Sequence, residues 1–168
     1  VIYYWVSKYM NNGWVLLNES SVCLTELKEI YSSLPYKTTF NQLFRATVPK
    51  ELIRKICDYY DLELEVGIYK TPPEWKYKFH TDNTRNCAIN QLLTEQRPEY
   101  VGKMIIDDIE YDIPYSTDVP CLINTALPHN VQNNSTTHTR YLLNIHVCNF
   151  ITFDTVKTHL INKGLITL

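Results

Sequence analysis

The sequence predicts a mostly β fold with flanking helices, organised as a double-sheet β-roll. Three observations carry this. From about Leu62 onward, short apolar or alternating runs rich in Ile, Val, Tyr and Thr are separated by turn residues. The first sixty residues instead place apolar side chains at helical spacing. The chain has only four glycines, and none builds a phosphate-cradling loop, which removes the usual support for a nucleotide-binding α/β fold.

In chain order, Leu24, Leu27, Ile30, Tyr31 and Leu34 form one helical stripe, and Leu52, Ile53, Ile56, Cys57 and Tyr60 form a second, with Pro49 placed where a first turn accepts proline. Eight strands are expected after that: Leu62–Tyr69, Trp75–Phe79, Cys87–Leu93, Lys103–Ile106, Ile109–Ile113, Pro120–Ala126, His129–Asn133 and Thr139–Val147. Asp107–Asp108 reads as a hairpin turn between two of them. Asp154 is placed to cap a last short helix that Gly164 ends. The expected division of residues 1–168 is a single domain, with 1–61 as helical support, 62–147 as the β-roll and 148–168 as a C-terminal helix.

Composition narrows the function classes. The 168 residues are 45% hydrophobic, enough for one sizeable core. A net charge of -2 without a lysine/arginine block argues against a phosphate-tracking surface or a polybasic membrane patch, so nucleic acid and membrane partners are disfavoured. The opening Val1–Trp5 has no basic n-region, and the lack of an initial methionine reads as a trimmed or partial chain. Five cysteines, odd in number and without a C-x-x-C pair, read as small buried hydrophobes in a reducing, cytoplasmic setting. Abundant Asn, Ile, Lys and Tyr suggest an AT-rich genome, microbial or viral. Oligomeric state is not readable from these features.

The chemistry-bearing residues are His80-Thr81-Asp82, which follows a strand and opens the polar turn Asn83–Asn86, then His129 in Leu127–Asn133, then Arg140 at the start of the next strand. Two imidazoles and a carboxylate suit Fe(II) and leave one face of the ion open. Arginine is always charged and binds a carboxylate through two parallel hydrogen bonds. With His129 and Arg140 on adjacent strands joined by a short hairpin loop, both would enter one cavity.

The order His-x-Asp, a gap, Pro-His-x-Val-x-Asn, then Arg leading an apolar strand resembles the Fe(II)/2-oxoglutarate-dependent dioxygenase superfamily, in particular its prolyl hydroxylase and aspartyl/asparaginyl hydroxylase-like branches. The resemblance covers roughly residues 75–147. It implies a double-stranded β-helix (jelly-roll, cupin-like) and His80, Asp82 and His129 as iron ligands. It further implies Arg140 as the partner of the distal carboxylate of 2-oxoglutarate, and oxidative decarboxylation of that cosubstrate with O2 to hydroxylate a substrate. A protein or peptide side chain leads as that substrate, with a small molecule as the other choice. Arg85 resembles an arginine that follows His-x-Asp in several hydroxylases, where it would touch substrate or pair with an acidic neighbour.

Asn133 would hydrogen-bond near the cofactors or serve turn chemistry. The stretch Asn86–Gln91 departs from the pattern by offering no cosubstrate tyrosine or threonine, leaving Tyr69 and Tyr77 as substitutes or as core residues. His138 and His159 read as exposed, and His146 as a strand-end residue. Two other functions fit the same residues: a non-catalytic β-roll used for binding or structure, and a cupin-type enzyme using Zn or Mn.

Overall fold

The computed structural model describes residues 12–39 and 43–167. Val1–Trp5 lies outside them, as does the first part of the segment expected as helical support. Eleven strands are found among the described residues: β1 (Trp14–Leu16), β2 (Lys37–Thr38), β3 (Phe44–Thr47), β4 (Leu64–Thr71), β5 (Lys76–His80), β6 (Cys87–Leu92), β7 (Tyr100–Ile106), β8 (Ile109–Asp112), β9 (Cys121–Asn124), β10 (His129–Asn133) and β11 (Arg140–Val147). Three α-helices accompany them: α1 (Leu24–Ile30), α2 (Lys50–Tyr60) and α3 (Phe153–Asn162). All pairings are antiparallel. One sheet runs β1-β9-β6-β11-β4-β3-β2 and the other β5-β10-β7-β8, giving the two-sheet jelly roll that the strand pattern predicts.

Period-two alternation on the large sheet creates two different faces. On β11, Leu143, Ile145 and Val147 join the core cluster that includes Leu27, Ile56, Tyr60 and Leu160 of the helices. The alternate residue Leu142 packs with Trp14, Met104 and Ile123 between the sheets. Each fully buried aliphatic side chain stabilises the fold by roughly 1.5–3 kcal/mol, so the helix-backed face anchors the sheet. The opposite face, carrying Arg140, Asn144 and His146, is free to hold polar groups.

All eight predicted strands form, most with ends shifted by one to three residues. The N-terminal part differs from expectation: residues 1–61 are not helical support alone, because β1, β2 and β3 pair into the large sheet. Those strands have three, two and four residues, too few to show alternation. Pro49 is the N-cap of α2 rather than a first-turn residue. Thr152, not Asp154, caps α3, its side chain accepting from the Thr155 amide, and Gly164 follows that helix at φ 73°. Asp107 and Asp108 both take positive φ in the β7–β8 turn, as a two-residue hairpin requires.

The expected β10–β11 hairpin does not form. β10 lies in the small sheet and β11 in the large one, so His129 and Arg140 face each other across the roll. All five cysteines are free thiols, three of them buried. No helix among the described residues is long and apolar enough to cross a membrane.

Candidate metal centre

His80 and His129 are directly opposite each other on β5 and β10. Strict alternation would send His80 to the opposite face from Trp75 and Tyr77. A register shift intervenes: His129 pairs with His80 but Val131 with Tyr77, so β5 spends one extra residue there. Such a bulge re-aims the side chains beyond it, and His80 enters the same cavity as Trp75 and Tyr77. Asp82 follows two residues on, its amide donating to the Thr125 carbonyl at 3.0 Å. The Thr125 hydroxyl in turn donates to the Arg85 carbonyl, tying the turn to the segment between β9 and β10.

Ligand atoms of His80, Asp82 and His129 lie within 4.8 Å of one another. His80 Nε2 is 3.7 Å from Asp82 Oδ1, and His129 Nε2 is 3.9 Å from Asp82 Oδ2. Both imidazoles are oriented from behind. His80 Nδ1 lies 3.0 Å from the Lys78 carbonyl and His129 Nδ1 2.9 Å from that of Leu127. A carbonyl can only accept, so each Nδ1 carries the proton and each Nε2 presents its lone pair toward the carboxylate, the tautomer a metal ligand needs. Burial holds His129 below the usual imidazole pKa, which keeps that lone pair available. The donor set fits a divalent ion such as Fe(II) with open positions.

Arg140 lines the same cavity from the opposite sheet. It is 1% exposed, and its Nε and Nη2 have no hydrogen-bond partner. The guanidinium lies 5.1 Å from the Tyr115 ring centroid, and burial lowers its pKa from the ordinary arginine value. Thr71 Oγ1 and Asn144 Oδ1, also on the cavity wall, are buried and unpartnered too. Asn144 donates to Asn90, and Asn90 to the Tyr115 hydroxyl, forming a polar chain beside Arg140. Sequence reading missed Thr71, Asn90, Tyr115 and Asn144. The available signal was the asparagines breaking otherwise apolar strands, since a buried amide needs partners.

The other predicted residues separate. Arg85 pairs with its acidic neighbour, Nε lying 2.7 Å from Asp82 Oδ2, while Nη1 lies 2.7 Å from His146 Nδ1. Asn133 is buried and hydrogen-bonded within the fold. Its amide nitrogen donates to the carbonyls of Thr71, Pro72 and His138, and its oxygen accepts from the Ser135 amide, so it latches the loop leading to β11. Tyr69 and Tyr77 both line the cavity. His138 is exposed as expected, but His159 is half-buried and bonded to the Tyr60 carbonyl at 2.8 Å.

His146 is driven down to about 3, first by burial and then by the charges of Arg85 and Arg45. Its folded pKa lies below the unfolded value near 6.5. The unfolded chain therefore binds the extra proton, and stability present above pH 6.5 is lost as pH falls toward 3. Metal-free protein is expected to lose about 0.7 kcal/mol per pH unit from this residue at pH 6.5, rising toward about 1.4 lower in the window. Urea midpoints measured between pH 6.5 and 5 check it; equal slopes for wild type and His146→Gln would exclude His146 as the source.

No protein-family model matches this chain, and no curated protein matches it in sequence. Solved structures match it in fold. An oxidoreductase of the 2OG-Fe(II) oxygenase family from Burkholderia pseudomallei aligns at TM-score 0.65 and 11% identity, over 90% of this chain and 94% of that one. A prolyl hydroxylase from Trichoplax adhaerens, in complex with a hypoxia inducible factor oxygen degradation domain peptide fragment, aligns at TM-score 0.65 and 13% identity over 91% and 89%. HygX from Streptomyces hygroscopicus, with nickel, 2-oxoglutarate and hygromycin B bound, aligns at TM-score 0.56 and 12% identity over 89% and 87%. The chain therefore has the fold of the 2OG-Fe(II) oxygenases, the jelly roll that the sequence resemblance implies.

Proposed function

We propose that the chain is a single dioxygenase domain that uses Fe(II), 2-oxoglutarate and O2 to hydroxylate a protein or peptide side chain or a small molecule. One observation carries this reading: a buried arginine whose Nε and Nη2 have no hydrogen-bond partner shares a cavity with two inward-aimed imidazoles and a carboxylate. A buried cation without an acceptor is costly, and an anion bound there offsets that cost. His80, Asp82 and His129 would hold the iron, whose chemistry when bound is the activation of dioxygen at the face the three ligands leave open. Arg140 would fix the distal carboxylate of 2-oxoglutarate, with Thr71 Oγ1 as a second donor and the Tyr115 ring supporting the guanidinium.

Trp75 and Tyr77 stack at 5.7 Å between centroids and wall the cavity on the His80 side. A peptide acceptor is supported by the peptide in the Trichoplax structure, and a small-molecule acceptor by the hygromycin B in HygX. The test is an anaerobic titration of metal-free protein with Fe(II) and then 2-oxoglutarate. A visible metal-to-ligand charge-transfer band is expected only when both are present; folded protein that gives no band overturns the reading.

A further inference from the structure

A second cationic cluster sits on the same inner face of the large sheet, beyond Asn144. His146 is six residues along β11 from Arg140, roughly 20 Å at ordinary strand rise. Arg85 contacts His146 from one side. From another, Arg45 of β3 lies over Gly67 of β4: a Cβ added at Gly67 would stand 2.6 Å from Arg45 Nε. The glycine thus lets the guanidinium rest against the sheet backbone. There Arg45 Nε is buried without a hydrogen-bond partner.

Counter-charge at this place is thin. Glu65 Oε2 stands 3.7 Å from both Arg45 Nη2 and His146 Nδ1, beyond hydrogen-bond reach, and its side chain is 66% exposed. Asp82 faces Arg85, yet the same carboxylate belongs to the metal triad. Arg45 thus has only the exposed Glu65 against it even in the metal-free protein, and a divalent ion sharing Asp82 would leave Arg85 under-neutralised as well. A 2-oxo dicarboxylate does not supply the missing charge, because one of its carboxylates goes to Arg140 and the other to the metal.

We propose that Arg45 and Arg85, grouped around His146, recognise an anionic group, a carboxylate or phosphate, carried by the substrate that is oxidised at the neighbouring metal triad. Arg45 suits such a group because its buried Nε lacks a partner, and Arg85, with Nε on Asp82 and Nη1 on His146, adds its positive charge beside it. The anion site stands on its own geometry; its assignment to the substrate rests on the oxygenase reading above.

The test is calorimetric titration of metal-free, cosubstrate-free protein with inorganic phosphate, and separately acetate, at constant ionic strength. Arg140→Met, which removes the cosubstrate arginine as a second anion site, is expected to keep binding, and adding Arg45→Met to it should weaken that binding at least tenfold. Gly67→Ala keeps the charge but displaces the guanidinium, so it should show the same loss, and it decides the matter if Arg45→Met fails to fold. Preference for acetate assigns a carboxylate-bearing substrate, and preference for phosphate a phosphorylated one. Absence of binding to Arg140→Met, or unchanged affinity when Arg45→Met or Gly67→Ala is added to it, overturns the proposal. A missing charge-transfer band with iron and 2-oxoglutarate would remove the oxygenase reading and leave this titration unaffected.

Discussion

Arg140→Met is expected to weaken 2-oxoglutarate binding by at least about 100-fold while making the metal-free protein more stable. The two effects share one cause. Arg140 is 1% exposed, Nε and Nη2 lack acceptors, and the Tyr115 ring 5.1 Å away compensates only part of the lost hydration. Two charge-assisted hydrogen bonds at roughly 1.5–3 kcal/mol each amount to a factor of a hundred or more in affinity. In the absence of cosubstrate the same guanidinium is a buried, unpaired charge. Methionine fills similar volume without it, so a gain of about 1–3 kcal/mol is expected. Loss of function with gain of stability marks a group held for a ligand, since a structural residue loses both. The charge-transfer titration reads the first effect and the urea midpoint of metal-free protein the second. A destabilised Arg140→Met would mean that the guanidinium is already satisfied by the fold.

That paired outcome depends on a juxtaposition only partly legible in the sequence. His80, Asp82, His129 and Arg140 stand out because their residue types and order match a known chemistry, and the structure does bring all four to one cavity. The route is different from the expected one. A short polar link between two strands reads locally as a hairpin, but here it carries the chain from one sheet to the other, with Asn133 latching the loop by four hydrogen bonds. Local sequence does not distinguish a turn within a sheet from a crossing between sheets, because both need the same loop residues.

The same limit explains the residues that went unread. Tyr115 reaches Arg140 from a stretch with no strand or helix of its own, and Arg45 rests against the sheet only because Gly67 lies beneath it on a neighbouring strand. Both contacts are non-local and leave no periodic trace. Apolar alternation, by contrast, located β4, β6, β7, β9 and β11, because each buries apolar side chains against the helices or between the sheets. β1 to β3 were missed for lack of length. The β5 bulge is a further case: alternation read through Trp75, Tyr77 and Phe79 points His80 away from its partner, and only the inserted residue turns it inward.

Because that bulge and the carbonyls behind each imidazole preset the ligands, metal binding should act on stability directly. At a free metal concentration a hundred times the dissociation constant, a folded-state-only site adds about 2.7 kcal/mol. For a chain of this size that raises the melting temperature by roughly 5–10 °C. Addition of Fe(II) or Mn(II) under anaerobic conditions should produce the shift, and a chelator should reverse it. His129→Ala is the sharpest variant, since it removes one inward-aimed Nε2 at the cost of a single bond to the Leu127 carbonyl and leaves the Asp82–Arg85 pair in place. It should abolish the shift, with metal affinity down at least about 100-fold, a loss of roughly 2.7 kcal/mol. His159→Ala, which removes a histidine bonded to Tyr60 beside the helices, should keep the full shift. An equal shift in wild type and His129→Ala would place the metal on other histidines or carboxylates and detach the triad from the function assigned to it.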